Sequence, residues 1–598
     1  MRRQAALLVL CTTLSFMAEA QSPTVHYQLE MSRPSTHLFE VEMTVDNIPS
    51  SDRQMEFVMP VWRSGRYVVF DFSGGVQEFS AADRNNKPLP WVKIDKTTWR
   101  VETKGSRAIK VTYKVFANEF NMRTRGLNDE HAFLDPASAF LYVEKLKTLP
   151  LTLTVVPFDG WHVTTGLDAV AGSKTKFSAP NFEYLSDCPI EVGNQKDFEF
   201  EVEGKKHVLM MYGDGNWDEK TIIPDISELI KANKKFWGEL PYDRYVFMFH
   251  VTPSAGGGTE HINSSVMGTR PFGFKNPDSY RGFLGLVAHE FFHTWNVKQL
   301  RPAGVHPYDY SRENYVRELW IAEGTTDYYA PVVLARTGFL SAQNYFSRLA
   351  STIRGDRVRP GNALQSPVES SFDAWVKYWK NTRQSYNSES DYYDRGANVS
   401  LVLDMEIRRQ SKNKHSLDEV MKTMFQRYRL KDKGYTVEDF QRVAEEYAGT
   451  NLEKFFSDYV FGTAPLPWEE SLASAGLVVS PKDSVLKPWL GIQTNDAGEK
   501  TWVTRSIAGS PAYEAGVDLD DEVLALDGTR VRSRDLQARI ADMSAGAKVT
   551  LTVFRDDKIR QFEITLKNQT IPEYKVEKTK TPTDLQKAIF QDWLGIDW

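Results

Sequence analysis

His289-Glu290-Phe291-Phe292-His293 sets two imidazoles four residues apart, with a carboxylate beside the first. On a helix that spacing stacks both rings on one face, one turn apart. Two neutral imidazoles so placed can bind one Zn²⁺, and Glu290 can take a proton from a water activated there. A catalytic zinc takes three protein ligands and keeps one position open. Glu323 is the best third ligand. It is a charge inside the apolar run Leu319-Trp320-Ile321-Ala322-Glu323-Gly324, where a buried carboxylate needs a metal or an opposite charge. Asp327 follows four residues later on the same helical face. It can accept the second-nitrogen hydrogen bond of His289 and fix its tautomer.

Helices must carry these groups. The pattern around the motif predicts a helix over 279–299, with Asp278 or Ser279 as N-cap and Leu284, Val287, Ala288, Phe291, Phe292 and Trp295 as its packed side. Further helical patterns cover 312–336, 341–354, 396–410, 416–428, 437–447 and 451–459. Pro465 and Pro467 end the series, because neither can continue a helix. A strand over 244–251 leads into Gly256-Gly257-Gly258. Upstream, 37–45, 55–62, 109–117 and 151–156 are β-rich and partly alternating, which predicts an antiparallel sandwich or saddle-like sheet.

HEFFHTWN, then LWIAEGTTDYY, with GGGTEH upstream, resembles the glycyl aminopeptidase family of zinc peptidases, relatives of the aminopeptidase N group and of thermolysin-like peptidases. The resemblance extends over most of the chain, through MPVWRSGRYVV and YLSDCPIEVG, to a PDZ-like unit near the C-terminus. It implies one zinc per chain and a multidomain α+β protein. The parts are an N-terminal antiparallel β domain, a thermolysin-like α/β plus helical catalytic domain, and the PDZ-like β domain. It puts Glu260 in the place of the carboxylate that holds a substrate's free α-ammonium. Gly257 and Gly258 let the backbone approach that substrate. It also makes Tyr393 the donor to the developing oxyanion. Tyr393 is favoured over Tyr392 because Gly396-Ala397 follow it at the matching offset. His261 stands where the relatives carry Asn and is not assigned to the metal. The gap from His293 to Glu323 is longer than in aminopeptidase N and is filled by RPAGVHPYDYSREN. The implied substrates are peptides with a free N-terminus and a small first residue, Gly or Ala.

Residues 486–568 resemble a PDZ domain. Leu490, Gly491 and Ile492 match its carboxylate-binding loop, which would capture a peptide by strand addition. Asp520 stands where a Gly is usual, which predicts a differently shaped turn. The ligand could be substrate, a partner, or the chain's own tail ending Ile596-Asp597-Trp598; a structural cap that binds nothing is the alternative.

The chain has 598 residues, which suggests about four units. These are read as a leader over 1–20, a β-rich domain over 21–200, a peptidase domain over 201–475, the PDZ-like unit, and a tail over 569–598 with a helical pattern at 583–594. Lys plus Arg total 73 against 79 Asp plus Glu. That balance excludes the basic field of a polyanion binder, so no nucleic-acid partner is expected. Arg2 and Arg3, the apolar stretch 5–16 and Ala18-Glu19-Ala20 form the three parts of a secretory signal peptide cleaved near Gln21. Val9-Leu10 before Cys11 are too bulky for a lipoprotein signal. After cleavage only Cys188 remains, so no intramolecular disulfide can form. No later segment is long and apolar enough to span a bilayer. The expected location is periplasmic or extracellular. The leading reading is an exported zinc aminopeptidase. Its rivals are a zinc endopeptidase with PDZ-mediated substrate capture and a non-catalytic PDZ adaptor.

Overall fold

The computed structural model describes residues 22–430, 433–482, 486–569 and 571–598; the expected leader and Cys11 lie outside them. The N-terminal domain follows from alternation. In Thr24–Glu30 and Leu38–Asp46 every second residue is buried, so Val25, Tyr27, Leu29, Phe39, Val41, Met43 and Val45 share one face. These strands pair antiparallel within a seven-stranded sheet. Thr24–Glu30 also runs parallel to Leu151–Val156, a pairing that the antiparallel expectation did not contain. A three-stranded and a four-stranded sheet complete the domain. The strand expected over 55–62 stops at Val58, just before Pro60, which lacks a donor for a ladder. The chain then leaves as a loop toward the second domain. There Val61 N donates to Tyr310 O and Trp62 Nε1 to Asp309 O. The insertion between His293 and Glu323 is therefore the socket that receives the N-terminal domain.

The second domain begins with the strand Lys196–Val202, ahead of the expected division at 200. It joins a five-stranded sheet with Lys205–Tyr212, Arg244–Val251 and Ser264–Thr269, and Gly258–Glu260 lies on the edge. Helix α1 (Glu219–Trp237) crosses between the parallel strands 205–212 and 244–251. Pro224, six residues into it, interrupts the pattern by which a helix is recognised in sequence. Helix α2 (Pro277–Phe292) carries the motif. Its N-cap is Asn276, not Asp278 or Ser279. The Asn276 side chain accepts from the N–H groups of both those residues, and Pro277 fills the first turn. The helix ends at Phe292 rather than 299. Residues 312–319 are largely non-helical as well. The Asn314 side chain accepts from Asp309 N and donates to Asp309 O there, which competes with a helix. Helix α3 (Thr326–Arg336) follows a π-helical turn, Trp320–Thr325. Helices α4 (Ala342–Val358) and α5 (Asp394–Gln410) pack beyond it.

The PDZ-like unit has its own core, built from Leu490, Val503, Leu526, Leu551 and neighbours, separate from the core shared by the other two domains. It is an insertion between two paired strands, Leu477–Pro481 and Tyr574–Lys578. The tail is not free. Helix α6 (Asp584–Leu594) buries Phe590 and Trp593 in the peptidase core, and Trp593 Nε1 donates to Tyr328 OH. No helix among the described residues is long and apolar enough to cross a membrane.

Candidate metal centre and cleft

Helix α2 buries Phe283, Leu284, Val287, Phe291 and Phe292 and turns His289 toward an open groove. His289 Nε2 and His293 Nε2 lie 3.0 Å apart. Glu323 Oε2 is 3.6 Å from the first and 3.1 Å from the second. The outer nitrogens are occupied: His289 Nδ1 lies 2.8 Å from Asp327 Oδ1, and His293 Nδ1 donates to Asn296 O at 2.7 Å. A proton on each Nδ1 leaves a lone pair on each Nε2. Two imidazole lone pairs and a carboxylate oxygen converging in a buried site are costly without a cation, and this N₂O donor set suits zinc. Among the described residues it is the one group of three that could hold a metal.

The π-turn brings Glu323 into reach. It frees backbone carbonyls, and Asn296 Nδ2 satisfies those of Ile321 and Ala322. The turn lies flush on α5 because two glycines face each other; a Cβ on Gly324 would sit within 3 Å of the Gly396 backbone. Burial pushes the Glu290 carboxyl up to about 7, reinforced by Glu260 and Glu323 and opposed by His289 and His293. A carboxyl in that range is matched to general-base work near neutral pH. Gly258 lies so close to Glu290 that a Cβ there would overlap the carboxylate. Gly257 holds φ +77° and Arg123 Nη2 donates to Gly258 O, which fixes the edge strand.

Glu260 is 5% exposed and ends the edge strand that begins at Gly258. A Cβ on Gly65 (φ +82°), from the N-terminal domain, would overlap its carboxylate. Lys298 Nζ is 3.8 Å from Glu260 and 2.8 Å from Asp187. Asp187 also accepts from Ser64 Oγ and lies 3.2 Å from His261 Nδ1. Burial would raise Asp187, but Lys298 and His261 hold it well below the usual carboxylate range. Arg63 pairs with Asp135 at 2.7 Å and donates to Thr259. Burial lowers His261 to about 4, so it is a neutral member of this network, away from the metal donors. The sequence reading missed Arg63, Gly65, Asp187 and Lys298, although MPVWRSGRYVV and YLSDCPIEVG contain the first three. It also missed Asn296, the last residue of HEFFHTWN.

Tyr392 is fully buried, whereas Tyr393 opens on the cleft with its ring centroid 6.4 Å from that of His289. The cleft, about 730 Å³, is lined near the centre by Arg123, Gly258, His289, Glu290 and Tyr393.

In the PDZ-like unit, Ala512 N donates to Leu490 O and Ile507 N to Gly491 O. Gly491 has φ +85° and is packed against Ser510. Strand Ile492–Ala497 is an edge of its sheet. Asp520 adopts φ +63°, the conformation a glycine would take, so the turn keeps its shape, and its carboxylate pairs with Arg383 of the peptidase domain at 2.8 Å. The tail is packed elsewhere, with Trp598 on Gly476 and Phe590.

Fold and site together define a zinc metallopeptidase of the aminopeptidase type. Residues 26–194 match the Peptidase M61 N-terminal domain, 282–399 the M61 glycyl aminopeptidase, and 488–566 a PDZ domain. The chain is thus similar to the M61 glycyl aminopeptidases in two of its parts and to PDZ domains in a third. A crystal structure of an aminopeptidase N family protein from Idiomarina loihiensis superposes with a TM-score of 0.89 at 26% identity, covering 96% of this chain and 100% of that one. An M1 zinc metallopeptidase from Deinococcus radiodurans aligns at 13% identity and a TM-score of 0.46, over 75% of this chain and 96% of that one. Among curated proteins, a probable periplasmic serine endoprotease DegP-like of Brucella suis is 30% identical over 104 residues, 14% of this chain. The chain spans only 19% of that relative's length.

Proposed function

We propose that the protein removes single residues, Gly or Ala by preference, from the free N-terminus of peptides, in an exported compartment reached through the leader at 1–20. His289, His293 and Glu323 would hold one zinc. The ion supplies the Lewis acidity that polarises a carbonyl and makes a water acidic near neutral pH. Glu290 takes the proton of the attacking water and passes it to the leaving amine. Tyr393 Oη donates to the oxyanion on the scissile carbonyl. Glu260 holds the substrate's ammonium, and Gly257 and Gly258 keep the edge strand close to the substrate backbone. Asp327 keeps His289 in the tautomer that offers Nε2. The PDZ unit, through Leu490, Gly491 and Ile492 and the free edge of its strand, takes a peptide C-terminus.

The observation that supports this reading is the buried Glu260 carboxylate on the edge strand beside Glu290. It is backed by Gly65 and Lys298, and Gly258 of the same strand lies against Glu290, so the carboxylate is within a substrate's reach of the proposed base. The test compares an alanine-initiated peptide with its N-acetylated copy. Cleavage of the free amine alone is expected; equal cleavage of both would make the protein an endopeptidase.

A further inference from the structure

Gly282 and Gly285 lie in the interior of α2, where each costs the helix about 0.5–1 kcal/mol relative to alanine. Packing does not demand them. A Cβ at 282 would meet nothing within 4 Å, and one at 285 would meet only Leu334 Cδ1, at an ordinary 3.7 Å. This sets them apart from Gly65, Gly258 and Gly324, whose neighbours leave no room for a side chain. Asp278, Gly282, Gly285, Leu286 and His289 form one stripe on the open face of α2, and all of them line the catalytic cleft. Pro331 and Leu334 of α3 and Asn344 and Arg348 of α4 form the facing wall. From His289 to Asp278 the stripe runs about 16 Å, at ~1.5 Å per residue. An extended peptide rises about 3.3 Å per residue, so the stripe matches roughly five residues.

We propose that this glycine-floored stripe is the groove for the leaving portion of the substrate. The substrates are then extended oligopeptides that place about five residues beyond the scissile bond, rather than dipeptides. This rests on the aminopeptidase reading above. With the substrate's amine held at Glu260, the chain beyond the scissile bond leaves Glu290 along this groove, whose lining includes both His289 and Glu290. The bare floor lets a backbone lie on the helix.

Initial release of the first residue is measured for alanine amide and for the amides of two to six alanines. The enzymes compared are the zinc-loaded wild type, Gly282→Leu and Gly285→Leu, each with its melting temperature. In the wild type, kcat/KM is expected to rise at least tenfold from alanine amide to the longest peptides and then level off. Each leucine variant is expected to melt no lower than the wild type. It should lose at least tenfold more on the hexamer than on alanine amide. A flat length profile in the wild type overturns the groove, as does a variant that lowers all substrates by one factor or leaves the hexamer unaffected. Because the wild-type profile needs no variant, a leucine enzyme that fails to fold does not rescue the idea. Failure of the underlying reading looks different: no first residue is released from any substrate, while internal bonds are cut.

Discussion

At the Glu260 end of the cleft, two domains meet around buried ions. Arg63, Asp135, Asp187 and Lys298 are each at most 3% exposed, and a glycine is squeezed against the carboxylate they surround. At the α2 end there is a groove between one face of α2 and the facing wall of α3 and α4, floored by glycines that nothing presses on. Glu290, the proposed base, lines the cleft beside Gly258. The contrast teaches that, on the function proposed above, the anchor for a chain end is set in material too costly to move while the rest of the substrate path stays bare. Charges buried in pairs are such material, because separating a pair leaves the partner unpaired in low dielectric.

The largest effect should come from the proposed base. Glu290→Gln should retain zinc, measured by metal analysis, and lose between 10² and 10⁴ of kcat, on the order expected for a general base. Wild-type turnover in that variant would remove Glu290 from its role. Next is the Glu260 end itself. Lys298→Met leaves Asp187 without its cation and should cost about 3–5 kcal/mol of stability by denaturant unfolding. A loss below 1 kcal/mol would mean that the Glu260 end is not held by that pair. Glu260→Gln should cost roughly 1.5–3 kcal/mol in kcat/KM for free-amine substrates, the worth of a charged hydrogen bond. It should also narrow the gap to the acetylated copy. If the gap stays wide, something other than Glu260 reads the amine. The smallest test sets glycine against glycine. Gly65→Ala should destabilise by about 1–2 kcal/mol through its left-handed backbone alone, whereas Gly282→Ala should stabilise by about 0.5–1 kcal/mol. Equal signs in the two melting temperatures would erase the distinction drawn here.

Much of the centre was legible in sequence because its information is local. HExxH is a helix-period pattern, and Glu323 stands out as a charge in an apolar run. The strands were legible for the same reason, since alternation is visible residue by residue. What escaped was non-local or locally masked. Asp187 and Lys298 are 111 residues apart and look like surface charges until the fold joins them. Gly65 could not be read as pressed against a residue 195 positions later. The π-turn before α3 depends on Asn296 catching carbonyls from another segment, which no periodicity announces. Helix α1 was hidden by Pro224, and the start of α2 was misplaced because an asparagine cap followed by proline outcompetes the acidic and hydroxyl candidates after it.

The ribbon of 477–481 with 574–578 has a practical consequence for dissecting the molecule. Cutting the chain ahead of residue 486 to discard the PDZ unit would also discard one strand of that clasp and the helix that plugs Trp593 into the peptidase. The shortened product would expose an apolar scar and misreport the module's contribution. An internal deletion that splices the two strands with a short turn keeps the plug in place and isolates the hydrolase intact.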